Sequence, residues 1–328
     1  MNQKKDIPIF FATDDNYVPC LTVALHSMIK NQNKNYHYSI KILTAGLSDD
    51  SKNLLIRFND ANNTVDFVDI NESMEYLSSQ LHTRDYYSKS TYFRLFIPRL
   101  FPEYNKALYL DCDIVVNGDI SKFYNINIGN NLLGAIPDES VQVVEPFYNY
   151  VENALGINRE NYFNAGILIM NLDQFRKQNF EKQFVELLNK YTFKVAQDQD
   201  YLNVICKDKV HYVNLTWDKM PMPNPTFGDK LPMLIHYNMG WKPWKADGVL
   251  YEEIFWNYAK ETSVYDSMMS FKRNYSLEDA EKDKKCGEGL LNMCTIEANS
   301  PLNYYHLYVE PEEDEGASAF GEHAYVNA

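Results

Sequence analysis

No stretch of this 328-residue chain approaches the ~18–20 consecutive apolar residues that a membrane-spanning helix requires. The opening Met-Asn-Gln-Lys-Lys-Asp is followed by only about six apolar residues before Asp14, too few for the core of a secretion signal. A cytoplasmic location, reaching at most to the inner face of the membrane, is therefore expected. The cysteines number five (Cys20, Cys112, Cys206, Cys286 and Cys294), an odd count without a Cys-x-x-Cys pair. That excludes a disulfide framework and a cysteine zinc site, and predicts reduced, buried thiols. Positive charge is also short, with 31 Lys and Arg against 45 Asp and Glu and a net charge of −14. This balance argues against an extended nucleic-acid footprint or one on an anionic membrane. Neither a Gly-x-Gly-x-x-Gly run nor a Gly-x-x-x-x-Gly-Lys-Ser/Thr loop is present, so polar side chains rather than a glycine cradle would have to recognise a nucleotide.

What the chain does carry is the composition of a globular protein, 45% hydrophobic, 14% aromatic and 23% charged. Apolar runs and helical spacings alternate. Strands are predicted at 7–12, 38–43 and 64–68, and helices at 18–30, 49–59 and 90–100. A strand at 106–116 follows, then strands at 132–136 and 166–170 and helices at 144–154, 180–191 and 199–207. The pattern predicts an α/β fold on a mainly parallel sheet. Short elements and Pro221, Pro223, Pro225 and Pro232 mark loops before a further extended run at 233–236. Residues 1–250 read as one domain, 251–309 as a helical C-terminal appendage with a capping Ser276, and 310–328 as an acidic, mobile tail. No internal repeat is found.

The most informative run is Lys106 to Val116, Lys-Ala-Leu-Tyr-Leu-Asp-Cys-Asp-Ile-Val-Val, which sets two carboxylates two residues apart among apolar side chains. If the extended conformation persists, Asp111 and Asp113 share one face and repel each other. Burying both costs several kcal/mol per uncompensated ion, so a cation is called for, and hard carboxylate oxygens suit Mg²⁺ or Mn²⁺. The first strand ends in Ala12-Thr13-Asp14-Asp15-Asn16-Tyr17, where a parallel sheet binds its ligands and where a base or ribose would fit. Helix capping by Asp14, Asp15 or Asn16 is the plainer reading of the same residues.

These two motifs, with Phe163-Asn164-Ala165-Gly166, Asp198-Gln199-Asp200, His236-Tyr237 and Lys242-Pro243-Trp244, resemble those of glycosyltransferase family 8. The resemblance covers nearly all of residues 7–245. It implies a GT-A type, Rossmann-like fold and a retaining, metal-dependent hexosyltransferase. The donor would be a UDP-sugar, with glucose or galactose favoured, and the acceptor a hydroxyl of a glycan, glycolipid or glycoprotein. It implies Asp111, Asp113 and His236 as ligands of Mn²⁺, with Mg²⁺ as the other candidate. It places Ala12, Thr13, Asp14, Asp15, Asn16, Tyr17, Arg94, Cys112, Asp138, Asn164, Gly240 and Lys242 around the donor, and makes Gln199, Asp198 and Lys242 the catalytic candidates.

Plainer roles compete with several of these. Arg94 could be a surface cation on its helix, His236 a structural histidine, Asn164 part of a simple turn, and Asp198 and Asp200 ordinary helix-start acids. The chain also departs from the family pattern, since many members have glycine three residues after the metal histidine, where this chain has Met239 and then Gly240. No carboxylate stands out as a nucleophile, so retention is read as a same-face attack in which the leaving phosphate takes the acceptor's proton. Two further readings remain open: a catalytically silent sugar- or partner-binding relative, and a haloacid-dehalogenase-like phosphatase built on the Asp-x-Asp run.

Overall fold

A computed structural model describes residues 4–74, 81, 89–228 and 230–310. Of the acidic tail predicted at 310–328, all but Glu310 lies outside the described residues.

Strand β1 (Lys5–Ala12) buries Ile7, Ile9, Phe10 and Phe11, so both of its faces are apolar, as a strand covered on both sides requires. It pairs in parallel with β2 (Tyr36–Thr44), which pairs in parallel with β3 (Asn63–Asp69). On its other edge β1 pairs in parallel with β4 (Ala107–Leu110). Strands β6 (Leu133–Ala135), β7 (Ile167–Met170) and β8 (Val210–Tyr212) complete a seven-stranded sheet ordered β3-β2-β1-β4-β7-β6-β8, in which β7 alone runs antiparallel to its neighbours. The order reverses direction between β1 and β4, and the crevice at such a switch is where open α/β sheets bind ligands. Helix Val18–Lys30 covers β1 with Val18, Leu21, Leu25 and Met28, the predicted apolar stripe, each side chain contributing ~1.5–3 kcal/mol by burial.

The predicted strand at 106–116 is two strands. β4 ends at Leu110, and β5 (Ile114–Val116) belongs to a separate antiparallel pair with β9 (Leu234–His236). The break falls on Asp111-Cys112-Asp113, where the backbone leaves an all-apolar ladder and turns the charged side chains towards solvent and counter-ions. Two sheet-like bonds survive at its edges, from Asp111 N–H to the Gly166 carbonyl at 2.8 Å and from Tyr237 N–H to the Asp113 carbonyl at 2.9 Å. Pairing Ile114 with His236 brings two segments far apart in sequence into register beside the break.

The predicted helix at 90–100 is a 3-10 turn run, Lys89–Phe96, followed by a short α-helix, Ile97–Leu100. Pro98 accounts for part of this, since it has no N–H to give an α-helical bond to Arg94 and its ring crowds that carbonyl. The predicted helix at 49–59 stops at Leu55 and tightens into a 3-10 turn, Ile56–Phe58. At the C-terminus, Ser276 and Asp279 form a reciprocal capping box at the start of helix Leu277–Ala298. That helix packs on helix Glu145–Leu155, and its Leu290 and Cys294 join the main core cluster with Tyr109 and Leu168.

Candidate metal and donor site

The carboxyl ends of β1 and β4, the amino end of the antiparallel β7 and the loop after β9 open onto one cavity of about 210 Å³. Of the residues singled out from the sequence, Ala12, Thr13, Asp14, Tyr17, Arg94, Asp111, Cys112, Asp113, Asp138, Asn164, Asp198, Gln199, His236 and Lys242 line it. Asp15, Asn16 and Gly240 do not. Asp15 turns away to accept bonds from the Ser48 N–H and hydroxyl, at 3.1 and 2.8 Å, at the start of helix Asp49–Leu55. Asn16 and Gly240 are exposed. The capping alternative is not met: Tyr17 holds the N-cap position without a side-chain cap bond, and Asp14 Oδ1 instead accepts the backbone N–H groups of Asn16 and Tyr17 at 3.0 and 3.2 Å in the turn ahead of helix Val18–Lys30.

The metal-ligand candidates converge. One atom from each of Asp111, Asp113 and His236 lies within 4.8 Å of the others. His236 Nε2 is 3.3 Å from Asp113 Oδ1 and 3.8 Å from Asp111 Oδ2. Its other nitrogen, Nδ1, lies 3.0 Å from Asp218 Oδ1, and both residues are buried. With the Nδ1 proton given to Asp218, Nε2 is free to face a cation, the usual arrangement behind a ligating histidine. Burial opposes protonation of His236, but Asp218 and then Asp113 outweigh it and raise its pKa to about 10. For Asp113, burial works against ionisation and is overcome by Lys242 first and His236 next, so the carboxylate stays charged well below its ordinary range.

Two basic side chains share the site. Arg94, far from being a surface charge, is 4% exposed, 3.2 Å from Asp111 and 3.0 Å from Asp198, and stacks 4.3 Å from the Tyr109 ring. Lys242 pairs with Asp113 Oδ2 and donates to the Tyr237 carbonyl. Against Arg94 and Lys242 stand Asp111, Asp113, Asp138, Asp198 and Asp218, so even a protonated His236 leaves the cluster negative. Gly166 supplies the remaining space: a Cβ there would lie 2.6 Å from Asp111 Oδ2 and 2.5 Å from His236 Cε1. Hard oxygens, one imidazole, excess negative charge and a glycine that keeps the ligands apart together fit a divalent ion of the Mn²⁺ or Mg²⁺ kind.

Beside this centre the polar side chains are held in fixed orientations. Gln199 accepts from Ala165 N–H at 2.9 Å and donates to Asp138 Oδ2 at 3.1 Å, and Asn164 also donates to that oxygen, at 3.2 Å. Asn164 Oδ1 accepts from Gly166 N–H at 2.8 Å, so its turn orients a side chain as well as the chain. Asp198 begins helix Asp198–Ile205, and burial raises its pKa to about 6 against the pull of Arg94. Its Oδ2 has charge contact with Arg94 but no aligned hydrogen bond. Asp200 is structural, taking the hydroxyls of Tyr150 and Tyr162 at 2.9 and 2.7 Å. The Cys112 thiol bonds the Ala12 carbonyl at 3.2 Å, and burial pushes its pKa well up, away from reactivity.

The sequence reading missed Asp218, Tyr109, Asn238 and the placement of Met239. Tyr109, which donates to Asp111 Oδ1 at 2.9 Å, sat in the quoted run but looked like core. Asp218 carried no local signal, because its partner is brought to it only by the pairing of residue 219 with β9.

The description Glycosyl transferase family 8 matches residues 8–248. A candidate glycosyltransferase of Haemophilus influenzae is 33% identical over 215 residues, 65% of this chain and 63% of that protein. The chain thus spans somewhat less than two thirds of that relative. A lipopolysaccharide 1,2-glucosyltransferase of Escherichia coli K12 is 22% identical over 299 residues, 84% of this chain and 86% of that protein. Among solved structures, the galactosyltransferase LgtC with donor and acceptor sugar analogs superimposes with a TM-score of 0.66 at 27% identity, covering 78% of this chain and 96% of LgtC. The bifunctional glycosyltransferase WbbM gives 0.71 at 26% identity, covering 83% of this chain and 52% of WbbM. Among the described residues no helix is long and apolar enough to cross a membrane.

Proposed function

The chain belongs to glycosyltransferase family 8, and from that premise we propose that it transfers a hexosyl unit from a UDP-sugar to a hydroxyl of a glycan, glycolipid or glycoprotein, with retention of anomeric configuration. Membership displaces the phosphatase reading of the Asp-Cys-Asp run. The observation that carries the proposal is the convergence of Asp111, Asp113 and His236 next to the Asp138, Asn164 and Gln199 network. A divalent ion held by Asp111, Asp113 and His236 would offset the negative charge gathering on the UDP leaving group.

The chain's own residues divide the remaining work. Thr13, Asp14 and Tyr17 face the end of the cavity suited to the base and ribose, and Lys242 supplies a point charge for phosphate oxygens once it leaves Asp113. Arg94 holds Asp111 and Asp198 in place as a planar donor between two carboxylates. Asp138 and Asp198 offer acceptors for sugar hydroxyls. Gln199, with both amide atoms engaged, is a positioned dipole at the reacting face; an amide oxygen is a weak nucleophile, which favours same-face attack.

The test is UDP release from a panel headed by UDP-glucose and UDP-galactose, with and without Mn²⁺. Mn²⁺-dependent release is expected. Tight UDP binding without release from any donor would identify a catalytically silent relative. A sugar adduct on Gln199 or Asp198, seen by intact mass, would replace the same-face mechanism with a covalent one.

A further inference from the structure

Next to the cavity, two pairs of neighbouring residues divide their side chains in the same way. Asp138 faces the site, where Asn164 and Gln199 donate to its Oδ2, while Glu139, which begins helix Glu139–Val143, is buried at 4% exposure. Asp218 bonds His236, while Lys219 is buried at 1% exposure. The two buried side chains meet. Lys219 Nζ donates to Glu139 Oε2 at 3.1 Å, across 80 residues of chain, and to the Met220 and Met222 carbonyls at 2.6 and 2.7 Å. Glu139 Oε2 also accepts the Met220 N–H at 2.8 Å, and its Oε1 accepts from Asn224 at 2.7 Å. The three ammonium hydrogens and both carboxylate oxygens are thus engaged. Neither residue lines the cavity.

A buried ion pair is weak evidence for stability, because taking two charges out of water offsets most of their attraction and two apolar side chains would serve as well. What an apolar contact does not supply is direction, and the backbone shows what is directed. Residue 219 bridges Ile235 in parallel: Lys219 N–H bonds the Leu234 carbonyl at 3.1 Å, and His236 N–H bonds the Lys219 carbonyl at 3.0 Å. On the other side Pro137 bridges Phe163, and Asp138 N–H bonds the Tyr162 carbonyl at 2.9 Å. Lys219 is therefore fixed to the strand that ends in His236, and Glu139 to the segments that carry Asp138 and Asn164. The first belongs to the two-stranded sheet and the second follows β6 of the seven-stranded one, so the ion pair is a direct link between them. Resting on the transferase reading above, we propose that Glu139 and Lys219 are positioning residues that hold His236 in register with Asp138. One end of the link fixes the diphosphate side of the site and the other the sugar side. Transfer needs the two at a set separation, and a displacement of 1 Å costs about 100-fold in rate.

The experiment compares the parent protein with Glu139→Gln, Lys219→Met and the double variant. The double variant leaves no buried charge unpaired, so it carries the test where a single variant fails to fold. Three quantities are read: kcat and KM for UDP release from the parent's preferred UDP-sugar, the affinity and stoichiometry of UDP binding with Mn²⁺ by calorimetry, and unfolding in urea. In the folded double variant kcat should fall about 10–100-fold, the range for residues that orient others. UDP lacks the sugar that reaches Asp138, so it should bind with the parent's affinity and stoichiometry. The losses should not multiply, and the double variant should lose no more than the larger single, as residues acting as one unit do. An unchanged kcat in the folded double variant overturns this inference and leaves the transferase reading standing. So does a fall in kcat matched by an equal loss of UDP-binding sites, which is the mark of unfolded protein alone. Absence of UDP release from every donor in the parent overturns both.

Discussion

Asp113 shows how the carboxylate cluster proposed to hold a divalent ion is kept stable by the chain's own cations. Its two oxygens face His236 and Lys242, so a proton and an ammonium together provide the charge that a metal would bring. Metal binding must therefore expel the His236 proton. His236 is raised from its ordinary range to about 10, so the native state binds a proton that the unfolded chain has lost above about pH 6.5. The sign follows: this contribution is full below about pH 6.5 and is lost as pH rises towards 10. The melting temperature of the metal-free protein is expected to fall between pH 7 and 9, and excess Mn²⁺ should cancel or reverse that slope. Thermal melts with and without Mn²⁺ check this, with His236→Gln as the variant in which Mn²⁺ no longer changes the slope. Gly166 is the second residue-scale test. A methyl group there meets Asp111 Oδ2, His236 Cε1 and Asn164 Oδ1, all within about 3 Å. Gly166→Ala should weaken Mn²⁺ affinity by at least ~10–100-fold, the range seen when ligand orientation is disturbed, as read by calorimetry. Circular dichroism should remain that of the parent.

Elements were legible where their signals were local. The stripe Val18, Leu21, Leu25 and Met28 identified a helix to its exact ends, because all four positions face one layer of the sheet. Ser276 was recognisable as a cap for the same reason: its partner Asp279 is three residues away. Ser276→Ala should cost ~1 kcal/mol, measured by urea unfolding with an unchanged m value. The continuous strand drawn through 106–116 shows the opposite case. Its apolar residues have strand propensity on both sides of the carboxylates, yet the ladder stops at Leu110, where Asp111 and Asp113 disfavour a strand and find Arg94, His236 and Lys242 as partners. Arg94 was open to the reading of a surface cation because amphipathic spacing cannot reveal that a 3-10 run will face two carboxylates.

At the scale of the whole molecule, the C-terminal helices share the core of the sheet domain. Leu290 reaches the cavity itself, and Glu297, 7% exposed, pairs with Lys194 at 2.7 Å. Tyr191 packs edge-on, and Phe193 at a tilt, against Tyr304. A chain ending at residue 250 is therefore expected to lose cooperative unfolding and to become sensitive to proteases across residues 145–205. Limited proteolysis and urea melts of that truncation read this directly; a melt matching the full chain would instead establish residues 251–309 as an independent appendage. The alternation of apolar runs was enough to predict an α/β fold, and the motifs in their order carried the resemblance to this family, since both kinds of signal depend on spacing within short segments. Only the tertiary structure decided that Asp218 orients His236, that Lys242 neutralises Asp113, and that the left-handed turn falls on Met239. Those outcomes depend on how separate segments pair, over 18 residues for Asp218 and His236 and over 129 for Lys242 and Asp113, and such pairing leaves no periodic trace in the chain.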